Sequence, residues 1–146
     1  MAHYQHILLA IDFSDESGTV INKALELQLH NSAKLSLIHV IEYSGTMYTG
    51  EIPIPEDLDL DQQMADHAGK KLDELIARYQ LMGSDRFVEI GTPKREIVRV
   101  AEAEGVDLIV IGSHGRHGLQ LLLGSTANGV LHQTACDVLA VRVGQS

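Results

Sequence analysis

The sequence predicts an α/β fold: a doubly wound, Rossmann-like parallel sheet of five strands. Short apolar runs alternate along the chain with longer segments in which apolar residues recur at a spacing near 3.6. Two of the runs, residues 7–11 and 108–111, are apolar throughout, which is typical of strands that helices cover on both faces. Strands that alternate with helices imply right-handed crossovers, and therefore a parallel sheet.

Turn-forming residues separate the predicted strands. A polar cluster at residues 12–17 ends the first strand and begins the first helix, and a polar connection at residues 44–61 follows the second strand. The last strand begins at Val138 and ends at Val143. The strands are predicted at residues 7–11, 35–41, 86–90, 108–111 and 138–143.

The four predicted helices have apolar faces and recognisable ends. Asn31 and Ser32 stop the first helix, and Gly83 closes the second. Pro93 suits the first turn of the third helix, which Gly105 caps. The residues predicted to face the sheet are Val20, Ile21, Ala24, Leu25 and Leu27 in the first helix, Met64, Ala68, Leu72, Leu75, Ile76 and Tyr79 in the second, Ile97, Val98 and Ala101 in the third, and Ala127, Val130 and Leu131 in the fourth.

Length and charge limit the classes of function. The 146 residues predict a single domain at residues 1–146. With 11 Lys and Arg against 20 Asp and Glu, the formal net charge of −9 disfavours nucleic acid and anionic membranes as partners. No apolar stretch reaches the roughly 18 residues of a membrane span, so no membrane insertion is predicted. Because Cys136 is the single cysteine and no signal peptide is evident, we predict a cytoplasmic protein.

The loops after the first and fourth strands are predicted to hold a ligand, since doubly wound sheets bind ligands where the strand order reverses. The second of these loops contains Gly112 and Gly115, and Gly124, Ser125 and Thr126 then open a helix. Glycines let backbone N–H groups approach an anion, and a helix N-terminus presents unpaired donors. The loop therefore predicts phosphate binding, although it matches neither a P-loop nor a dinucleotide fingerprint.

Four segments resemble the universal stress protein family. They are ILLAIDFS at residues 7–14, LIHV at residues 37–40, the glycine loop from residue 112, and CDVLAVR at residues 136–142. The resemblance covers nearly the whole chain. It implies the adenine nucleotide α-hydrolase-like form of the Rossmann-like fold, a stress-response role, and bound ATP or AMP, with Mg²⁺ accompanying a triphosphate.

The resemblance also implies roles for individual residues at a nucleotide site. Asp12 would accept hydrogen bonds from the adenine or the ribose. Ala10, Ile11 and Val40 would contact the base. Arg116 is placed to neutralise the phosphates, which is an inference from its position in the loop. The residues implied to hold the ribose and phosphates are Ile111, Gly112, Gly115, Gly124, Ser125 and Thr126.

The spacing of the glycines leaves two functions open. Nucleotide-binding members of the family show G-x-x-G, nine residues and then G-[ST], whereas eight residues separate Gly115 from Gly124 here. One residue fewer turns a helical segment by about 100°, or tightens the loop. The first function is regulatory or stress-protective nucleotide binding, with at most weak ATPase activity. The alternative is a dimeric stress protein that binds no nucleotide and acts through protein partners.

Plainer interpretations compete with these roles. Asp12 could simply cap a helix, and the glycines could be turn residues. His114 and His117 lack the spacing and the Cys partners of a metal site, so no metal site is predicted. Cys136 is predicted to be a small packed residue. An adenylating enzyme is disfavoured because the chain leaves little room for an acceptor-substrate site.

The last predicted strand lies at the end of the chain and is expected at a sheet edge. An apolar edge strand exposes unpaired backbone groups and is usually covered. The family resemblance implies that the strand from Val138 to Val143 pairs with the same strand of a second copy, in a two-fold homodimer. The alternative is a monomer whose own loops shield this strand.

Overall fold

The computed structural model describes residues 4–42, 60–113 and 124–143. Within these ranges strands and helices alternate. The strands are β1 (His6–Ala10), β2 (Lys34–Ile41), β3 (Asp85–Ile90), β4 (Leu108–Gly112) and β5 (Asp137–Val141). The helices are α1 (Ser17–Asn31), α2 (Leu60–Arg78), α3 (Pro93–Ala103) and α4 (Ser125–Gln133). None of these described helices is both long enough and apolar enough to cross a membrane.

The five strands form one parallel sheet in the order β3-β2-β1-β4-β5. β1 is the central strand, and its Ile7 lies opposite Leu35 of β2 on one side and Leu108 of β4 on the other. The chain builds outward from β1 to β3 and then crosses back to β4, so the strand order reverses between β1 and β4. This topology confirms the predicted doubly wound α/β fold.

Helices cover both faces of the sheet in pairs. On the α1/α2 face, these helices pack against Ile7, Leu9 and other alternate strand residues. On the α3/α4 face, the other two helices pack against Leu8 and Ile109. Ile7, Leu8 and Leu9 are each 0% exposed. The unbroken apolar run of β1 therefore follows from its burial on both faces.

Most helix ends follow their predicted signals. Ser32 ends α1 in the left-handed conformation at φ 50°, and Gly105 follows α3 at φ 69°. Pro93 occupies the first turn of α3. α2 ends at Arg78, so Gly83, at φ 92°, belongs to the turn beyond the helix and does not cap it.

Two further predicted details were wrong. Leu131 is 50% exposed, whereas its α4 neighbours Ala127 and Val130 are 2% and 0% exposed. Successive helix residues are rotated by about 100°, so the narrow stripe through which α4 packs on the α3/α4 face excludes Leu131. β5 ends at Val141, before the predicted end at Val143, whose N–H donates to a side-chain hydroxyl at 3.2 Å.

Alanine substitutions at two adjacent positions test this orientation of α4. We expect Val130→Ala to lower the free energy of unfolding by about 2 kcal/mol, because it removes buried methyl groups and leaves a cavity. Leu131→Ala removes more atoms, yet it should cost less than about 0.5 kcal/mol because the side chain is exposed. Urea unfolding followed by circular dichroism measures both values. A larger loss for Leu131→Ala would contradict the packing described above.

Candidate functional site

The carboxyl ends of β1, β2 and β4 meet at one edge of the sheet. Ala10, the last residue of β1, lies opposite Ile38 of β2, and the preceding Leu9 lies opposite Val110 of β4. α1 follows β1 onto one face of the sheet, whereas α4 follows β4 onto the other. The chain thus leaves these two neighbouring strands toward opposite faces, which is the arrangement at which doubly wound proteins bind ligands.

Three of the residues predicted to line the site share one face at this edge. Ala10 and Val40 are half-buried and Ile111 is 6% exposed, and all three pack on the α3/α4 face. They come from β1, β2 and β4 respectively. Together they form a small apolar surface at the strand ends, which we term the apolar tip.

Ile11 does not join the apolar tip. Its side chain is 6% exposed and packs on the α1/α2 face, as the two-residue alternation from Ile7 and Leu9 requires. Its backbone is also engaged, because its N–H donates to the Ile38 carbonyl at 2.9 Å and its carbonyl lies 2.7 Å from His39 Nδ1. Of Ala10 and Ile11, which are both predicted to contact a base, only Ala10 therefore presents its side chain on this face.

Asp12 directly follows the end of β1 and has an exposed side chain. Its Oδ1 accepts the Ser14 N–H at 2.9 Å and the Ser17 hydroxyl at 3.4 Å. Within the described part of the chain, Oδ2 has no hydrogen-bond partner. Glu16, not Asp12, is the N-cap residue of α1. Asp12 thus stabilises the turn before α1 through one carboxylate oxygen, whereas the other has no partner among the described residues.

Phe13 has a backbone conformation that its sequence does not predict. Its φ is 60°, in the left-handed region that bulky side chains rarely adopt and that costs roughly 1–3 kcal/mol. Its ring packs against the His39 ring, with centroids 4.2 Å apart and planes tilted by 41°. The Lys71 ammonium lies 5.2 Å from the Phe13 ring centroid. Contacts from β2 and α2 therefore hold the first residue after Asp12.

The start of α4 lies beyond the tip of β4 and carries backbone donors. Gly124 is the N-cap residue, with φ −61° and ψ 157°, and its carbonyl accepts the Asn128 N–H at 2.9 Å. The N–H groups of the first helical turn have no intrahelical acceptor, and glycine has no side chain to cap them. Ser125 is exposed and Thr126 is half-buried. The first turn of α4 can therefore donate hydrogen bonds to an anion.

Ser113 is a structural residue that the sequence interpretation missed. It is 9% exposed, and its N–H donates to the Val141 carbonyl at 2.8 Å. Its carbonyl accepts the Gly124 N–H at 2.6 Å, and its Oγ accepts the Val143 N–H at 3.2 Å. These bonds fix the first residue of the α4 N-terminus directly beside the end of β4, where Gly112 is the last strand residue.

Several predicted features lie outside the described residues. They include Gly115, Arg116 and the rest of the interval up to residue 123, together with His114 and His117. Within residues 4–42, 60–113 and 124–143, no group of three His, Cys, Asp or Glu side chains gathers as a metal site would require. Asp12 supplies the single carboxylate among the predicted site residues.

A separate cavity of about 440 Å³ lies at the opposite, amino edge of the sheet, between the end of α3 and the start of β5. The Tyr4 hydroxyl donates to Asp137 at 2.7 Å there, and this hydrogen bond raises the pKa of Tyr4. Cys136 is half-buried at this cavity, with its Sγ 3.2 Å from Thr134 Oγ1, and it packs with the α3/α4 core. We assign the candidate site to the carboxyl edge because the predicted ligand residues that the structure describes lie there, and none of those described residues lines this cavity.

Comparison with known proteins places the chain in a family. The sequence model of the universal stress protein family matches residues 3–142. The chain belongs to the universal stress protein family. Universal stress protein A homolog 1 of Coxiella burnetii is 45% identical over 139 residues, which cover 95% of this chain and 96% of that relative. The family resemblance of the sequence motifs is thereby confirmed.

Solved structures support the same assignment for this universal stress protein. The structure of hypothetical protein MJ0577 matches with a TM-score of 0.80 and 28% identity, covering 98% of this chain and 99% of that chain. A universal stress protein in complex with cAMP has a TM-score of 0.70 and 24% identity, covering 99% of this chain and 100% of that chain. At that identity the second similarity establishes the fold alone.

Two substitutions at Asp12 separate its turn-forming role from its charge. Asp12→Ala removes the acceptor for Ser14 and Ser17, so we expect the free energy of unfolding to fall by about 1 kcal/mol. Asp12→Asn keeps an oxygen acceptor and should remain within about 0.5 kcal/mol of the parent protein. Urea unfolding at constant pH measures both values. Equal losses in the two variants would show that the turn depends on the charge and not on the hydrogen bonds.

Proposed function

We propose that this universal stress protein binds an adenine nucleotide, ATP or AMP, at the carboxyl edge between β1 and β4, in a regulatory or stress-protective role. The observation that carries the proposal is the difference between the two carboxylate oxygens of Asp12. One carboxylate oxygen holds the turn, while the other is exposed and unpartnered among the described residues. A carboxylate oxygen at a strand end can accept from an adenine amino group or a ribose hydroxyl.

The apolar tip supplies the second part of such a site. Ala10 and Val40 are half-buried members of the apolar tip, so their exposed atoms can cover one face of a flat base. Ile111 lies on the same face, at the end of β4. Small-molecule sites commonly combine such apolar surfaces with a few polar groups that fix the orientation of the ligand.

The start of α4 supplies the third part. A protein with a net charge of −9 repels phosphate at long range, so local donors must hold it. The first turn of α4, from Gly124 through Ser125 and Thr126, offers backbone N–H groups and hydroxyls beside the tip of β4. Gly115 and Arg116 remain predicted phosphate contacts, because they lie outside the described residues.

The fold is compatible with this kind of ligand, since a universal stress protein with the same fold has been solved in complex with cAMP. A bound triphosphate would bring Mg²⁺ with it. Asp12 is the single carboxylate among the proposed binding residues, so these residues supply no cage of acidic ligands. The ion would instead be held mainly by the phosphates and water. Binding, with at most weak hydrolysis, is the function that we propose.

Calorimetry with Mg-ATP and with AMP tests the proposal, because it measures both the affinity for each nucleotide and the free energy of unfolding in its presence. A ligand present at 100 times its dissociation constant should raise the free energy of unfolding by about 2.7 kcal/mol. We expect Asp12→Asn to weaken binding at least tenfold, or about 1.4 kcal/mol, because an amide nitrogen replaces the unpartnered oxygen. Asp15→Asn makes the same charge change at an exposed position and serves as the matched control.

Two results would contradict nucleotide binding. One is the absence of any stabilisation at millimolar Mg-ATP or AMP, which would favour the alternative of a stress protein that acts through protein partners. The other is an equal loss of affinity in Asp12→Asn and Asp15→Asn, which would reflect net charge alone. The cytoplasmic location stays a prediction and is tested by cell fractionation.

We further propose that two copies associate through β5. The two edges of the sheet differ in character. The β3 edge carries charged side chains, and hydrogen bonding to Lys34 lowers the pKa of Asp85, which favours its ionised form. On β5, by contrast, Val138, Leu139 and Ala140 are apolar and half-buried. The ion pairs of β3 are Asp85 with Lys34, Arg86 with Asp73, and Glu89 with Arg99.

Sedimentation velocity over a range of protein concentrations tests this dimer. We expect the parent protein to sediment as a dimer and Ala140→Lys to sediment as a monomer, because a charge in the middle of β5 opposes strand pairing. Ala103→Lys places the same residue at the exposed end of α3 and should leave the dimer intact. A parent protein that remains monomeric, or a dimer that survives Ala140→Lys, would contradict pairing through β5.

A further inference from the structure

The left-handed conformation of Phe13 differs in its setting from the other cases. Among the described residues, three non-glycine residues have positive φ: Phe13, Ser32 and Gln80. Ser32 and Gln80 directly follow the ends of α1 and α2, where this conformation is a common way to end a helix. Phe13 instead lies between the end of β1 and the start of α1. A bulky residue in this region persists only where surrounding contacts determine it.

The conformation of Phe13 sets the geometry of Asp12. A left-handed residue at this position turns the next peptide back, so that the Ser14 N–H reaches Asp12 Oδ1 at 2.9 Å. The Ser17 hydroxyl donates to the same oxygen. With Oδ1 engaged twice, the carboxylate has one orientation and Oδ2 is the oxygen that remains for a ligand. If the turn opened, both oxygens would rotate freely in solvent.

His39 holds the residues on both sides of Asp12. A carbonyl oxygen can only accept, so the Nδ1–H of His39 donates to the Ile11 carbonyl, at 2.7 Å. The same imidazole ring packs against the ring of Phe13 at 4.2 Å. One side chain of β2 therefore contacts the residue before Asp12 through a hydrogen bond and the residue after it through ring packing.

The Phe13 ring lies on the face of the sheet opposite the apolar tip. It packs with the α1/α2 core and lies near the Lys71 ammonium of α2, whereas the apolar tip is on the α3/α4 face. Phe13 therefore does not share the face on which Ala10 and Val40 are exposed. Any influence of Phe13 on a ligand at that face passes through the backbone and the carboxylate of Asp12.

We propose that Phe13 and His39 are positioning residues that fix the Asp12 carboxylate in its binding orientation before ligand arrives. This inference rests on the proposed nucleotide site and adds the residues that determine its preorganisation. Preorganisation raises affinity because the ordering of the carboxylate is complete before binding. The device also explains why a bulky aromatic residue occupies a left-handed position that glycine or asparagine would adopt more easily.

Paired substitutions test the proposal. Phe13→Leu keeps apolar volume and removes the ring, and His39→Ala removes both the ring and the donor. His39→Asn restores an N–H donor close to the position of Nδ1. Leu27→Ala is the packing control, because Leu27 is a half-buried residue of the same core on α1.

Two measurements are made on each variant. The first is hydrogen exchange of the Ser14 amide in the ligand-free protein, which reports the bond to Asp12 Oδ1. The second is the affinity for Mg-ATP and AMP by calorimetry. We expect Phe13→Leu and His39→Ala to accelerate Ser14 exchange and to weaken binding about tenfold or more. His39→Asn should recover part of both, and Leu27→Ala should change neither by more than about twofold.

A double-mutant cycle tests whether the effect passes through Asp12. In an Asp12→Ala background, Phe13→Leu should cause no further loss of affinity, because the carboxylate that it positions is gone. Additive losses would overturn the proposal, and so would unchanged Ser14 exchange in Phe13→Leu and His39→Ala. If the parent protein binds neither nucleotide while Ser14 exchange still depends on Phe13 and His39, the proposed function fails and the role of these residues in fixing Asp12 stands.

Discussion

The reversal of strand order beside β1 is the constraint on which the rest of the molecule depends. β1 is hydrogen-bonded on both sides and its side chains are buried on both faces. Because the chain leaves β1 toward one helix layer and β4 toward the other, Asp12 and the start of α4 flank the same edge from distant parts of the chain. A ligand at this edge would be in contact with segments from both helix layers.

An acidic protein can hold an anion with backbone groups, which need no basic side chain. The net charge of −9 disfavours a broad basic surface here. The donors at the start of α4 are peptide N–H groups, which do not depend on basic side chains. The N-cap residue, Gly124, adds no side-chain acceptor that would compete for these donors. Ser113 anchors this helix start to the ends of β4 and β5. Its buried hydrogen bonds therefore give a flexible residue type, glycine, a defined position.

The end of β1 combines two requirements that usually conflict. A carboxylate that stabilises a turn is normally satisfied and unavailable, whereas a ligand group must remain open. Asp12 stabilises the turn and is compatible with the proposed ligand contact, because its bonds to Ser14 and Ser17 use the same oxygen. The positive φ of Phe13 accompanies this geometry, and the Phe13 ring packs against the His39 ring of β2. Strain of this kind concentrates where function requires it.

The sequence by itself determined the fold and the edge of the sheet at which to look for a site. Apolar runs and helical periods reflect burial that repeats along a strand or helix, so the elements that they mark can be predicted without coordinates. The alternation from Ile7 and Leu9 also predicts that the Ile11 side chain faces α1 and α2, as the structure shows. The sequence did not predict that Leu131 faces solvent. A short helix can rotate about its axis by one residue and still bury much of its apolar stripe.

Only the tertiary structure decided which contacts fix the residues of the candidate site. Nothing local to the segment of Phe13 favours a positive φ, since that conformation depends on a ring from β2 and an ammonium from α2. Ser113 likewise gained its role from partners at Gly124 and Val143. Sequence patterns record the average environment of a residue, whereas the direction of a side chain at a strand end is set by contacts between segments far apart in the chain.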